Sequence, residues 1–153
     1  MLPTNKTRGT GPGPAKASHR VRVLIVEDNP RLRKLMTDVL ALEGCSVTEA
    51  VDAMSMRWHL QMRGVEEYPD DPFDLIVTDI QMPGESGLEV LGWLRRRGCP
   101  IPALVVTAFP ELATREQVSK LEATLLPKPF TLLDFRSVAI ASLSPTAKSL
   151  QRA

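Results

Sequence analysis

Residues 21–30 read Val21-Arg22-Val23-Leu24-Ile25-Val26-Glu27-Asp28-Asn29-Pro30, a short β-branched apolar run that stops on two acids, a helix-capping amide and a proline. Such a run suits a strand buried on both faces of a parallel sheet. Asn29 can accept from the first helical N–H groups and Pro30 has no N–H to leave unsatisfied, so a helix is predicted to begin there. Leu32, Leu35, Met36, Val39 and Leu40 follow at helical spacing and mark its apolar face.

The same strand-then-helix unit recurs along the chain. Residues 74–78 and 101–106 are strand candidates as apolar as 21–26, while Ser46–Ala50 and 123–126 are weaker ones. Helices are predicted over about 53–63, after Ser86, from about Pro110, and after Thr131. Ser86 with Glu89 has the spacing of a capping box ahead of Leu88, Leu91 and Leu94, and Thr131 precedes Leu132, Phe135, Ala139 and Leu143. Residues 66–72 form an acidic, proline-bearing loop. Five strand–helix pairs with short connections imply a three-layer α/β fold with right-handed crossovers.

Composition sets the outer bounds. A chain of 153 residues, 43% hydrophobic and 24% charged, is the size of one globular domain with tails. The net charge of +1 hides a polarity: residues 1–20 carry Lys6, Arg8, Lys16 and Arg20 without an acid, and the remainder is net negative. With six glycines and prolines in the same stretch, 1–20 reads as a disordered basic tail, and no function is placed there. Residues 21–143 are then the folded domain. Residues 144–153 are a C-terminal tail too short for an output domain, so output is expected to pass to a downstream protein target without direct DNA binding. No apolar run approaches the roughly 18 residues of a membrane span and no secretory-type leader is present, so a cytoplasmic protein is expected. Cys45 and Cys99 lack the spacing of a zinc site or a disulfide framework and read as packing residues.

In sheets of this class the site lies beyond the carboxyl ends of the strands. Glu27 and Asp28 follow the first strand, Asp79 the third, Thr107 and Ala108 the fourth, and Lys128, Pro129 and Phe130 the fifth. Three carboxylates at one sheet edge repel one another unless a cation sits among them. A hard divalent ion answers that need. Magnesium takes one or two carboxylates and keeps several waters, which suits Asp28 and Asp79 as direct ligands and Glu27 through water. A lysine and a hydroxyl facing the same point suit an anion, and a carboxylate so placed can be the nucleophile of a phosphoryl transfer. Taken singly, each residue has a plainer role: an aspartate after a strand is often a turn or cap residue, and Thr107 alone could satisfy strand-end backbone. Arg95, Arg96 and Arg97 read as a solvated helix end, and His59 beside Trp58 as structural or exposed.

Four blocks occur in order: Val-Leu-Ile-Val-Glu-Asp-Asn at 23–29, Asp-Leu-Ile-Val-Thr-Asp-Ile-Gln-Met-Pro-Gly at 74–84, Val-Val-Thr-Ala at 105–108 and Lys-Pro-Phe at 128–130. Together they resemble a response-regulator receiver domain of a two-component system, similar to the stand-alone chemotaxis regulators. The resemblance implies a flavodoxin-like fold, a five-stranded parallel sheet of order 2-1-3-4-5 with five helices. It implies that a sensor histidine kinase or a histidine phosphotransfer protein donates a phosphoryl group to Asp79. It further implies Mg2+, with Mn2+ as a substitute, on Asp28, Asp79 and the backbone carbonyl of Gln81. Thr107 matches the hydroxyl that turns toward the phosphoryl group, and Lys128 the lysine that pairs with it. Such a domain catalyses its own phosphorylation and slow dephosphorylation and has no external substrate to turn over.

Departures from the family pattern concern switching. The family usually has an aromatic three residues before the lysine, where this chain has Leu125, and Pro127 removes a backbone donor beside Lys128. Gln81 and Phe109 stand where the family tunes attack of water on the phosphoryl group. A haloacid-dehalogenase-type phosphohydrolase also phosphorylates an aspartate after a strand, but it needs a second acid two residues on, where Gln81 stands. A degenerate receiver serving only as a binding module is opposed by intact Asp28, Asp79, Thr107 and Lys128. A nucleotide-binding phosphate loop is absent.

Overall fold

The computed structural model describes residues 20–62, 73–108 and 110–143. Within these, β1 (Arg22–Val26), β2 (Ser46–Ala50), β3 (Leu75–Asp79), β4 (Ala103–Ala108) and β5 (Thr124–Lys128) alternate with α1 (Pro30–Leu42), α2 (Ala53–Leu60), α3 (Gly87–Arg96), α4 (Leu112–Lys120) and α5 (Leu132–Ser142). All strand pairs are parallel and the order is β2-β1-β3-β4-β5. This is the flavodoxin-like arrangement that the blocks imply. The basic tail, the acidic loop at 66–72, Phe109 and residues 144–153 lie outside the described residues.

The alternation of side chains along each strand builds two cores. Leu24, Val26, Ile76 and Val105 face Met56 and Leu60 of α2, Leu91 and Leu94 of α3, and Val118 of α4. Val23, Ile25, Leu75, Val77, Leu104 and Val106 face Met36 and Leu40 of α1 and Phe135 and Ala139 of α5. The central strands are buried on both sides, which is why their sequences are continuous apolar runs. Cys45 belongs to the second core and Cys99 packs against the first. Leu35, predicted on the buried face of α1, is 46% exposed, because Met36 and Leu40 already fill the contact with the sheet.

Caps and boundaries refine the sequence reading. The Asn29 side chain accepts from the Arg31 and Leu32 amides at 3.0 and 3.2 Å, with Pro30 in the first turn of α1. Ser86 caps α3 through the Leu88 amide at 3.1 Å, and the predicted box with Glu89 is not closed. Strand β4 starts at Ala103 and not at 101, since Pro102 has no N–H for the ladder. Asp79 is the last residue of β3 and Thr107 lies inside β4, each one step further into the sheet than expected. Strand β5 runs to Lys128 with Pro127 paired opposite Thr107. It is an edge strand, the place where a sheet tolerates a missing donor. Arg95 does not end α3 in solvent: it donates to the carbonyls of Leu121 and Cys99, both at 2.8 Å, and ties that helix end to the turn after α4.

One close approach sets where α3 begins. A Cβ at Gly87 would lie 2.5 Å from both the Asp79 carbonyl oxygen and Thr78 Oγ1, so the helix can reach β3 only with glycine there. The Thr78 hydroxyl donates to that same carbonyl at 2.9 Å. Gly87→Ala is therefore expected to destabilise the fold by about 1–3 kcal/mol, measured as a lower urea midpoint at unchanged m-value.

Candidate functional site

Order 2-1-3-4-5 makes β1 and β3 neighbours while their following helices leave on opposite faces of the sheet. The carboxyl ends of these strands open a crevice at that reversal. Glu27 and Asp28 follow β1 and Asp79 closes β3, so one carboxylate oxygen of each falls within 4.8 Å of the others. Glu27 and Asp79 are buried, and Asp28 is exposed.

A single ammonium balances the buried pair. Lys128 Nζ, from the end of β5, donates to Asp79 Oδ2 at 2.7 Å and to Glu27 Oε2 and Oε1 at 3.2 and 3.4 Å. The other Asp79 oxygen, Oδ1, accepts from the Gln81 amide at 2.9 Å, so the side chain is held at both ends. Thr107 is buried one residue beyond Val106, the register partner of Asp79. The structure thus gathers Glu27, Asp28, Asp79 and Lys128 at one point, with the Gln81 backbone on Asp79 and Thr107 on the adjoining strand.

Burial, and then the neighbouring Asp79 charge, push the Glu27 carboxyl up to about 7 against the opposing pull of Lys128. Burial works to lower the Lys128 pKa, but the hydrogen bond and charge of Asp79, with those of Glu27, outweigh it and hold the ammonium above its ordinary value. The donor set suits a hard cation. An octahedral Mg2+ at about 2.1 Å from its ligands holds neighbours about 3 Å and opposite pairs about 4.2 Å apart. Glu27, Asp28 and Asp79 each offer a carboxylate oxygen within 4.8 Å of the others, a cluster of about that size.

A sequence profile for the response regulator receiver domain matches residues 23–139. The chain belongs to the response-regulator receiver family. Among curated relatives, Protein PetR of Rhodobacter capsulatus is 41% identical over 111 residues, covering 71% of this chain and 42% of that protein. Transcriptional regulatory protein TcrA of Mycobacterium tuberculosis is 32% identical over 132 residues, covering 82% and 48%. The chain spans about half the length of the curated relatives it matches. Chemotaxis protein CheY4 of Vibrio cholerae superposes with a TM-score of 0.70 at 23% identity, covering 82% of this chain and all of that one. A receiver domain protein of Methanospirillum hungatei gives 0.71 at 19% identity over 88% and 98%. At such identities the structures speak to the fold alone.

The protein thus carries a signalling domain of the two-component type, from a family that typically uses Mg2+. Among the described residues no helix is long and apolar enough to cross a membrane. Two supports of the receiver site escape sequence reading. Arg33 of α1 donates to the Glu27 carbonyl oxygen at 2.8 Å, and the Asn29 amide donates to Glu27 Oε1 at 3.3 Å. Nothing in the pattern of α1 distinguishes Arg33 from an exposed helix cation. His59, half-buried with its ring edge-on to Trp58 at 4.9 Å between centroids, lies outside the site.

The raised Glu27 pKa has a signed consequence. Below its ordinary value of 4.5 the carboxyl is protonated folded and unfolded alike, and from there to about 7 only the unfolded chain gives up the proton. Stability is therefore expected to fall by about 2–4 kcal/mol as pH rises through that window in metal-free protein. Thermal melts in chelator should show the slope in the native chain and its loss in Glu27→Gln; parallel curves for the two proteins would remove Glu27 as the cause.

Proposed function

We propose that this receiver domain takes a phosphoryl group onto Asp79 from a phosphohistidine of a sensor histidine kinase or histidine phosphotransfer protein, and passes the signal to a downstream protein. The observation that carries the reading is the Asp79 carboxylate, buried at the end of β3 yet bonded by Lys128 on one oxygen and the Gln81 amide on the other. Catalysis of phosphoryl transfer is mainly positioning and charge neutralisation, and both are built into these contacts.

An Asp79 carboxylate oxygen attacks phosphorus, the P–N bond to the donor imidazole breaks, and the imidazole leaves with its electron pair and takes up a proton. Lys128 then exchanges its bond to Asp79 for one to a phosphoryl oxygen, a charge-assisted bond that exists only in the phosphorylated state. Thr107, on the adjoining strand β4, supplies the hydroxyl. Asp28, Asp79 and the Gln81 carbonyl would hold Mg2+, with Glu27 acting through water, and the ion would supply charge neutralisation for the transferred group; Mn2+ would serve in its place. Slow loss of the group to water is the only turnover assigned to the domain.

The output is placed in a protein contact made by the switched domain, with the protein in the cytoplasm. The domain is assigned to 21–143. The matched relatives include proteins named as transcriptional regulators, about half of whose length is shared with this chain. Leu125, half-buried beside Val105 in the register of β5 on β4, fills the place of the family's aromatic without a ring to move.

Incubation with acetyl phosphate and Mg2+ is expected to add one phosphoryl mass to the native chain and none to Asp79→Asn. An adduct that persists in Asp79→Asn, or maps to another residue, would sink the assignment. Asp28→Asn is expected to weaken Mg2+ binding by about tenfold or more through loss of a charged ligand. A magnesium titration with unchanged affinity in that variant defeats Asp28 as a ligand.

A further inference from the structure

The segment between β3 and α3 carries the Gln81 backbone and is bonded by a residue from another helix. At its start the Gln81 amide donates to Asp79 Oδ1 at 2.9 Å and the Met82 amide to the Ile80 carbonyl at 3.1 Å. At its end Ser86 caps α3. Between these ties lie Pro83 and Gly84, the latter at φ +85°, and then Glu85. Both oxygens of Glu85 are taken by Arg57 of α2: Nε donates to Oε2 at 3.4 Å, and Nη2 pairs with Oε1. The same guanidinium lies 4.7 Å from the centroid of the Trp93 ring, and the Arg97 guanidinium lies 4.8 Å from that ring.

We infer that Arg57 is a positioning residue for the phosphoacceptor site, acting through Glu85 to hold the loop that presents the Gln81 backbone to Asp79 and to the metal. The metal part rests on the proposed function; the bracing of the loop does not. A guanidinium paired through two nitrogens and stacked on an indole has both its plane and its position set, which a freely rotating ammonium cannot reproduce. The Arg57 and Glu85 side chains are 28% and 32% exposed, so the pair is partly shielded from water. Its effect on global stability is correspondingly modest, and its geometric effect falls on one loop.

The test compares Arg57→Ala, Arg57→Lys, Glu85→Gln and the double variant Arg57→Ala/Glu85→Gln in the full chain. Amide exchange at Gln81 and Met82 is read in chelator, and Mg2+ affinity by titration of amide shifts. Arg57→Ala is expected to speed exchange at both amides and weaken Mg2+ binding by about fivefold, with Glu85→Gln similar and the double variant no worse than either single. Arg57→Lys is expected to recover part of the loss. Variants that melt lower yet keep native exchange at Gln81 and Met82 overturn the inference and leave the pair as a brace between α2 and α3. Should Arg57→Ala not fold, Glu85→Gln, which keeps the side-chain shape, carries the same measurement. A native chain that binds no Mg2+ and gains no phosphoryl group overturns the function reading instead, while the exchange comparison still decides whether Arg57 holds the loop.

Discussion

Two carboxylates buried within reach of one ammonium form the constraint around which the carboxyl edge of the sheet is organised. Burying Glu27 or Asp79 as an isolated anion would be costly, and Lys128, brought from the far edge strand, meets both. The arrangement is adequate and not relaxed. Burial and the proximity of Asp79 leave Glu27 with a pKa near neutrality even with the ammonium present. Three carboxylates then share one edge of the sheet with a single lysine bonded to two of them.

The fold supplies that constraint through strand order. Because β1 and β3 are adjacent while their helices pack on opposite faces, Glu27 and Asp28 after β1 are brought to Asp79 at the end of β3 from about fifty residues away in sequence. The surroundings then fix their orientation. Arg33 holds the Glu27 carbonyl, Gln81 holds one Asp79 oxygen, and the Thr78 hydroxyl with glycine at 87 allows α3 to sit directly against the end of β3. The Arg33 and Thr78 side chains end on backbone carbonyls and the Gln81 contact starts from a backbone amide, so each bond ties a side chain to the main chain at a strand end.

The edge formed by β5 is where the chain departs from its family's usual pattern. Pro127 lies within the strand and yet pairs in register with Thr107, so Lys128 still reaches the site. Leu125 packs against the first core in place of an aromatic. Leu125 is half-buried there and carries no ring or hydroxyl.

The sequence by itself determined the α/β class, the strand order once its four blocks were recognised, and the placement of Asp28, Asp79, Thr107 and Lys128 at the carboxyl ends of strands, because strand ends and caps are written in local residue order. Apolar runs named all five strands to within two residues, and Asn29-Pro30 named the start of α1. Tertiary structure alone decided what lies between the elements. Arg33 on the Glu27 carbonyl, Arg95 on the turn after α4, Arg57 on Glu85 and the need for glycine at 87 all join positions distant in sequence or separated by a loop. A surface arginine has the same local appearance whether it is solvated or anchors a neighbouring element, since its partner is chosen by the packing of helices on the sheet and not by its neighbours in the chain.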